Sequence, residues 1–334
     1  MDLTRFGGKL YQPRTSRVLY AAMGDVWDFG YIPEWDRTPE QLQAHQNAVN
    51  AMPKFGITGK TNYDTKKVCL TDTWKHPDVV AALGSPFQGI LQKTGCCVGA
   101  GGGTMAFSLQ AVEITQKGDA EKIIYPYWLL PYGRSRYYMG ERSPGDGSTG
   151  STFAKAAKED GFLDARMEGL PKWSTEDGMW TYGESTEYKW SDGDAIDEKW
   201  LTASRKHLVK TVSQCRSADD VREAIVNGYP CTCASMWGCT SPRVQGTPAV
   251  LLGKRNTSWA HQMSLQAWWE HPELGEIYWL QNQWGQSAHG KCPSGMPMGG
   301  MWIPKSEVDW ICRDEVFAFS NYEGYPAQKL NWLI

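Results

Sequence analysis

No stretch of this chain approaches the roughly 18 consecutive apolar residues that a membrane helix needs, so no spanning segment is expected. Charge of one sign is also lacking. The 34 Lys and Arg stand against 37 Asp and Glu, a net charge of −3, which leaves no footprint for nucleic acid or an anionic membrane. No period of about 20 to 50 residues recurs and no tract is of low complexity, which argues against solenoids and propellers. The start, Met1-Asp2-Leu3-Thr4-Arg5, has no charged region followed by an apolar stretch and a small-residue cleavage site. The expectation is a chain made in a cytoplasm without a secretory signal. The nine cysteines are an odd number, so a complete set of intrachain disulfides is impossible and the thiols must be weighed singly.

What is present is a 334-residue chain, enough for one large or two modest domains with a sizeable core. Hydrophobic residues at 41% and aromatics at 12% exclude a wholly disordered chain. The 17 Trp and 35 Gly point to aromatic-lined clefts and tight turns, or simply to an aromatic-rich core. Residues 1 to 85 read as an N-terminal extension with helical patterns at Glu40–Met52 and His76–Leu83. Cys97, Ala100, Met105, Phe107, Leu109, Val112 and Ile114 mark a buried helix with Gly-rich first turns, running to about Gln116. Gly145 to Gly150 is a Gly/Ser-rich loop leading into a short helix over Thr152–Asp160, with Ser151 as its expected N-cap.

Residues 171 to 200 read as a Trp-rich loop, and the segment 151 to 200 holds 12 Asp and Glu against 6 Lys and Arg. In the last third, Thr232–Trp237, Met263–Trp268, Ile277–Asn282, Met301–Pro304 and Val316–Ser320 read as strands, with helices at Ala218–Val226 and Ser306–Cys312. A helix-rich part followed by a strand-rich part implies an α+β chain of two lobes, divided at 86–205 and 206–334.

Two nucleotide templates fail. Gly59-Lys60-Thr61 lacks a Gly five residues before Gly59, and Gly99 to Thr104 lacks the last Gly of the dinucleotide fingerprint. Cys231, Cys233 and Cys239 do not supply four ligands at zinc spacing, and no metal or cofactor is expected. Asn256-Thr257-Ser258 fits a glycosylation acceptor but reads as a polar turn.

The informative constellation is a thiol, a histidine and an amide on separate segments. In Gln92-Lys93-Thr94-Gly95-Cys96-Cys97-Val98-Gly99, a thiol at the first turn of a helix feels the positive end of the dipole, which lowers its pKa and favours the nucleophilic thiolate. The Cys97 N–H and the Gln92 side-chain amide would form an oxyanion hole. Two packed core cysteines are the bland alternative. Trp259-Ala260-His261 places a lone His at the head of an apolar strand, where a structural histidine is the commoner reading. Gln281-Asn282-Gln283-Trp284 ends another strand with an Asn able to accept from the far ring N–H and a Trp able to shield that bond. Together the order Cys, His, Asn, with a Gln just upstream of the Cys, is a multi-part match.

With these residues the chain resembles the papain-like cysteine peptidases over about residues 88 to 325. In that family a helical lobe carries the Cys and a β-rich lobe carries the His and Asn across a substrate cleft. The resemblance includes the Gly145–Gly150 segment beside the cleft, the bridge over Val212–Trp237 and the strands after Gly299. Closer still is a branch of bacterial and phage-encoded relatives, matched by Gln92 to Val98, Trp259 to His261, and Phe317 to Ala327. The resemblance implies a papain-like α+β fold. It implies Cys97 as nucleophile, His261 as general base and acid, Asn282 as its orienting partner, Gln92 as oxyanion donor and Trp284 as shield, acting on a peptide or protein substrate.

The chain departs from the family in three ways. His261 and Asn282 follow Cys97 by 164 and 185 positions, against about 130 to 150 in papain-type enzymes. The upstream Cys of Cys-Gly-(Ser/Ala)-Cys is missing, and residues 1 to 85 do not resemble an inhibitory propeptide. The rival expectation is therefore a virion structural or binding protein that keeps the fold without hydrolysis. In that case the Trp173–Trp200 loop or residues 1 to 85 would bury against another virion protein.

Overall fold

A computed structural model describes Thr4 and residues 8–10, 26–59, 65–117 and 123–330; of the expected extension, residues 1–3, 5–7, 11–25 and 60–64 lie outside the described residues. Among the described residues no helix is long and apolar enough to cross a membrane.

The helical side is built on local signals. Helix α1 (Pro39–Asn50) starts at a capping box, in which Thr38 accepts from the Gln41 N–H and the Gln41 side chain accepts from the Thr38 N–H. Helix α2 (Pro77–Leu83) is capped by His76 and stops at Gly84, whose φ of +79° suits a residue without a Cβ. Helix α3 (Cys97–Lys117) is buried on every side from Cys97 to Leu109, so it runs through the molecule rather than along its surface. Its glycines are what permit this. A Cβ on Gly102 would lie 1.9 Å from the Phe153 ring, and one on Gly99 would lie 2.7 Å from Tyr132. These contacts seat α3 against α4 (Leu129–Tyr138) and α5 (Gly150–Glu159). The cap of α5 is Thr149, not the expected Ser151. The Thr149 hydroxyl accepts from the Thr152 N–H, while Ser151 lies inside the first turn.

The strand side is one large sheet. Strands β1 (Lys9–Leu10), β2 (Val26–Asp28) and β3 (Lys67–Cys69) come from the first 85 residues. Two short strands, β4 (Pro126–Tyr127) and β5 (Leu163–Asp164), pair with each other apart from it. So do β6 (Ser174–Glu176) and β7 (Met179–Thr181). The rest of the large sheet is β8 (Thr211–Gln214), β9 (Cys231–Gly238), β10 (Arg243–Gln245), β11 (Val250–Leu252), β12 (Thr257–His271), β13 (Gly275–Gln281), β14 (Gly300–Pro304) and β15 (Glu315–Ser320), in the order β10-β11-β14-β13-β12-β9-β15-β8.

The 15-residue β12 is the spine. Its first half pairs antiparallel with β9 and parallel with β2, its second half antiparallel with β13 and β3. His261 therefore lies inside a strand that begins at Thr257, not at its head as expected.

Residues 171 to 200, expected as a loop, carry the β6–β7 hairpin, helix α6 (Glu184–Trp190) and the start of helix α7 (Glu198–Ser204). The mix of Gly, Asp and Trp conceals the order: the hairpin turns at Asp177 and Gly178, both at positive φ, and α7 is capped by Asp197. Helix α8 (Ala218–Val226), capped by Ser217, and helix α9 (Lys305–Ile311) cover the strand side.

Candidate active site

The head of α3 faces the first half of β12. The Cys97 sulfur accepts from the Gln262 N–H at 3.3 Å, and the Gln262 side chain donates to the Val98 carbonyl at 2.8 Å. These two bonds tie the thiol to the residue next to His261. The His261 ring stacks on Trp284, with centroids 4.8 Å apart and planes inclined by 23°. His261 Nε2 bonds Asn282 Oδ1 at 2.8 Å. The same oxygen accepts from the Gln283 N–H at 2.7 Å, so the atom facing both donors is the amide oxygen. His261 Nδ1 has no hydrogen-bond partner. Cys97, His261, Gln92, Trp284 and Asn282 are all buried. The structure thus gathers the five residues singled out in the sequence in one place.

The place is filled by the chain's own N-terminal segment. After β2, the Phe29 N–H donates to the Ala260 carbonyl at 3.0 Å, and the Phe29 carbonyl oxygen turns toward α3. There it accepts from the Cys97 N–H at 3.3 Å and from Gln92 Nε2 at 3.4 Å. Gln92 Nε2 also donates to the Thr94 carbonyl at 3.0 Å. The two expected oxyanion donors therefore already share one carbonyl oxygen. The Phe29 ring lies 5.1 Å from His261 and 4.4 Å from Trp284. Gly30 follows at φ +105°, and a Cβ there would lie 1.8 Å from the Gly95 carbonyl oxygen, so only glycine lets the segment pass. Beyond it the Ser148 N–H donates to the Gly30 carbonyl at 2.8 Å and the Ile32 N–H to the Ser148 carbonyl at 2.9 Å, which lays the segment along the Gly145–Gly150 stretch.

Two buried carboxylates hold this arrangement. Glu187 of α6 accepts from the N–H groups of Lys93 and Thr94, from the Thr94 hydroxyl at 2.9 Å and from the Cys96 thiol at 3.2 Å. Burial pushes its pKa up to about 7, although these bonds pull the other way. Glu315 of β15 pairs with Arg37 inside the protein and accepts from the Tyr31 hydroxyl at 3.3 Å and the Ser151 N–H at 2.6 Å. Burial acts to raise its pKa, but Arg37 and His45 win and bring it to about 2. The Arg37–Glu315 pair anchors the N-terminal segment to the strand side.

Burial also overturns one expectation. The helix head should lower the Cys97 pKa, but with Phe29 over it the thiol is fully enclosed and its pKa is pushed well up, against the pull of the Gln262 and Val98 N–H groups. The His261 ring is held neutral for the same reason, its pKa brought down to about 3 despite the Asn282 bond. Phe29, Glu187 and His289, which bonds Asn282, were not singled out in the sequence. None sits in a local pattern; Phe29 and Glu187 meet the site through long-range packing, and His289 through the loop that follows β13.

Chemically, the set pairs a thiol with an imidazole whose far nitrogen is fixed by an amide, beside two N–H donors that converge on one carbonyl oxygen. Such a set suits attack on an acyl carbon.

No family model and no curated protein sequence matches the chain. Solved structures do. Xylellain, a cysteine protease from Xylella fastidiosa, aligns over 96% of this chain and 98% of its own, with a TM-score of 0.51 and 13% identity. The digestive procathepsin L 3 of Tenebrio molitor larval midgut aligns over 86% and 82%, with a TM-score of 0.50 and 11% identity. The procathepsin B S9 of Trypanosoma congolense aligns over 87% and 90%, with a TM-score of 0.50 and 10% identity. At these identities the likeness is one of fold, and the chain has the papain-like α+β fold.

Proposed function

We propose that the chain is a cysteine peptidase whose cleft is closed by its own residues 29–32, and that Cys97 becomes the nucleophile when that segment gives way. The observation that supports this reading is the convergence of the Cys97 N–H and Gln92 Nε2 on a peptide carbonyl oxygen. A peptide carbonyl from a substrate can take the place of Phe29's.

In this reading His261 Nδ1 takes the Cys97 proton as the sulfur attacks the carbonyl carbon. The S–C bond forms, and the charge on the oxygen is met by the Cys97 N–H and Gln92. The C–N bond then breaks, with the amine leaving on the proton from His261. Water adds to the thioester, His261 takes its proton, and the S–C bond breaks to release the acid and restore the thiol. Asn282 keeps the imidazole in the tautomer that has Nε2–H and a free Nδ1 lone pair.

The test is to treat the full chain with a thiol-directed peptidyl epoxide and to map the adduct. Labelling of Cys97 ahead of the other eight cysteines, together with peptide hydrolysis that Cys97→Ser abolishes, supports the reading. Preferential labelling of Cys96, or hydrolysis that survives Cys97→Ser, rules it out.

A further inference from the structure

The chain of bonds does not end at Asn282. The loop after β13 brings His289 back beneath the amide, where Asn282 Nδ2 bonds His289 Nε2 at 2.9 Å. The direction of this bond is fixed from the other side. The Gln283 backbone N–H can only donate, so the atom it meets at 2.7 Å is Asn282 Oδ1, and the atom facing His289 is therefore the NH2 group. An amide nitrogen cannot accept. His289 must then present a lone pair at Nε2, which makes it neutral and protonated at Nδ1.

Burial favours the neutral ring, although its Nδ1 finds no hydrogen-bond partner among the described residues. His289 is 7% exposed, and its ring lies 5.8 Å from Trp284 and 6.3 Å from Trp259, so both imidazoles lie near one indole. Burial in this aromatic wall pushes the pKa of His289 down to about 3. A neutral ring with an obligatory acceptor holds Asn282 from below, as the Gln283 N–H holds it from the side.

We propose that His289 is a positioning residue for the His261–Asn282 pair: by accepting from Asn282 Nδ2 it holds Oδ1 toward His261, and so keeps the Nδ1 lone pair of His261 available to the thiol. The kinetic part rests on the peptidase reading; the structural part does not. If the Nε2 acceptor is lost, the Asn282 NH2 group is left buried without a partner, and the amide turns or shifts to find one. His261 Nε2–H then loses its acceptor and the ring tautomer relaxes.

The test uses the full chain with histidine-selective ¹⁵N labelling, comparing His289→Phe, which keeps a flat ring without an acceptor, and His289→Gln, which keeps a carbonyl acceptor. In wild type the His261 ring is expected as the Nε2–H tautomer. His289→Phe should mix the two tautomers, and His289→Gln should restore the single one at equal thermal stability. In turnover, His289→Phe should lower kcat on the order of 10-fold with KM unchanged, and Asn282→Ala should cost much less in that background than in wild type. Identical His261 spectra in wild type and in a folded His289→Phe, or additive losses, would overturn the proposal. Should neither wild type nor Gly30→Ala, which opens the segment, hydrolyse a peptide, the peptidase reading fails, and the tautomer measurement still decides the role of His289. If His289→Phe does not fold, the tautomer in wild type and His289→Gln decides: a mixed tautomer in wild type, or in a folded His289→Gln, also overturns it.

Discussion

The Phe29 carbonyl oxygen and the Cys97 N–H form a 3.3 Å hydrogen bond between an N-terminal segment and the head of a buried helix 68 positions away. It couples the chemistry of the thiol to the conformation of the segment. While the bond stands, Cys97 is enclosed, its pKa is raised and His261 is neutral, so no thiolate–imidazolium pair exists. In the proposed reading, opening the segment admits water, removes the desolvation and lets the helix head act on the thiol.

The first prediction follows from the space around Gly30. Gly30→Ala places a Cβ against the Gly95 carbonyl and strains a positive φ, which penalises the closed segment by about 1 to 3 kcal/mol. Alkylation of Cys97 near pH 7 should accelerate on the order of 10-fold or more, read by mass spectrometry of quenched samples. Unchanged alkylation would mean that the segment does not control access.

Gln92 should matter only as charge develops on the carbonyl oxygen. In the Gly30→Ala background, Gln92→Ala is expected to lower kcat by about 10² to 10³ with little change in KM. A loss confined to KM would place Gln92 in ground-state binding.

His261 and Asn282 should separate in kind. In the Gly30→Ala background, His261→Ala should abolish turnover and raise the pH at which Cys97 alkylates, because the thiolate of the opened site loses its counter-ion. Asn282→Ala should lower turnover and leave Cys97 reactive. Small, equal effects on alkylation profiles and rates would exclude both from the reaction.

Glu187 gives a pH-dependent stability whose sign is set by its raised pKa. Between about 4.5 and 7 the folded chain holds a proton that the unfolded chain releases, so stability falls as pH rises through that window, by about 3 kcal/mol at most. In Glu187→Gln this component of the slope should vanish in urea melts at pH 4.5 and 7.5. A slope equal to wild type would assign the effect elsewhere.

Glu315 acts in the opposite sense. Its lowered pKa contributes stability that is present above about 4.5 and is lost as pH falls toward 2. Arg37→Met leaves that carboxylate buried without its partner, at a cost of about 3 to 5 kcal/mol at pH 7. The deficit should shrink at acid pH as Glu315 protonates, a trend that melting curves across pH would reveal.

What the sequence alone determined was local or carried by residue identity. The glycines at 99 to 103 within an apolar period marked α3 as a buried helix, because only small residues let Phe153 and Tyr132 approach. The helical pattern over Glu40–Met52 marked α1, and Cys97, His261, Asn282, Gln92 and Trp284 stood out because their side-chain types belong to one chemistry. The Trp-rich stretch was misread as a loop, since its turns and caps are short-range signals diluted by aromatic residues that pack elsewhere.

Tertiary structure decided the state of the site. That Phe29 enters the cleft, that Glu187 grips the loop before Cys97 and that His289 lies under Asn282 depend on residues 68, 91 and 7 positions from the groups they touch, and no periodicity encodes such meetings. The thiol shows the difference in energy. A helix terminus stabilises charge within one turn and is visible in the sequence, whereas desolvation is the summed effect of every group packed over the sulfur, and here it is the larger.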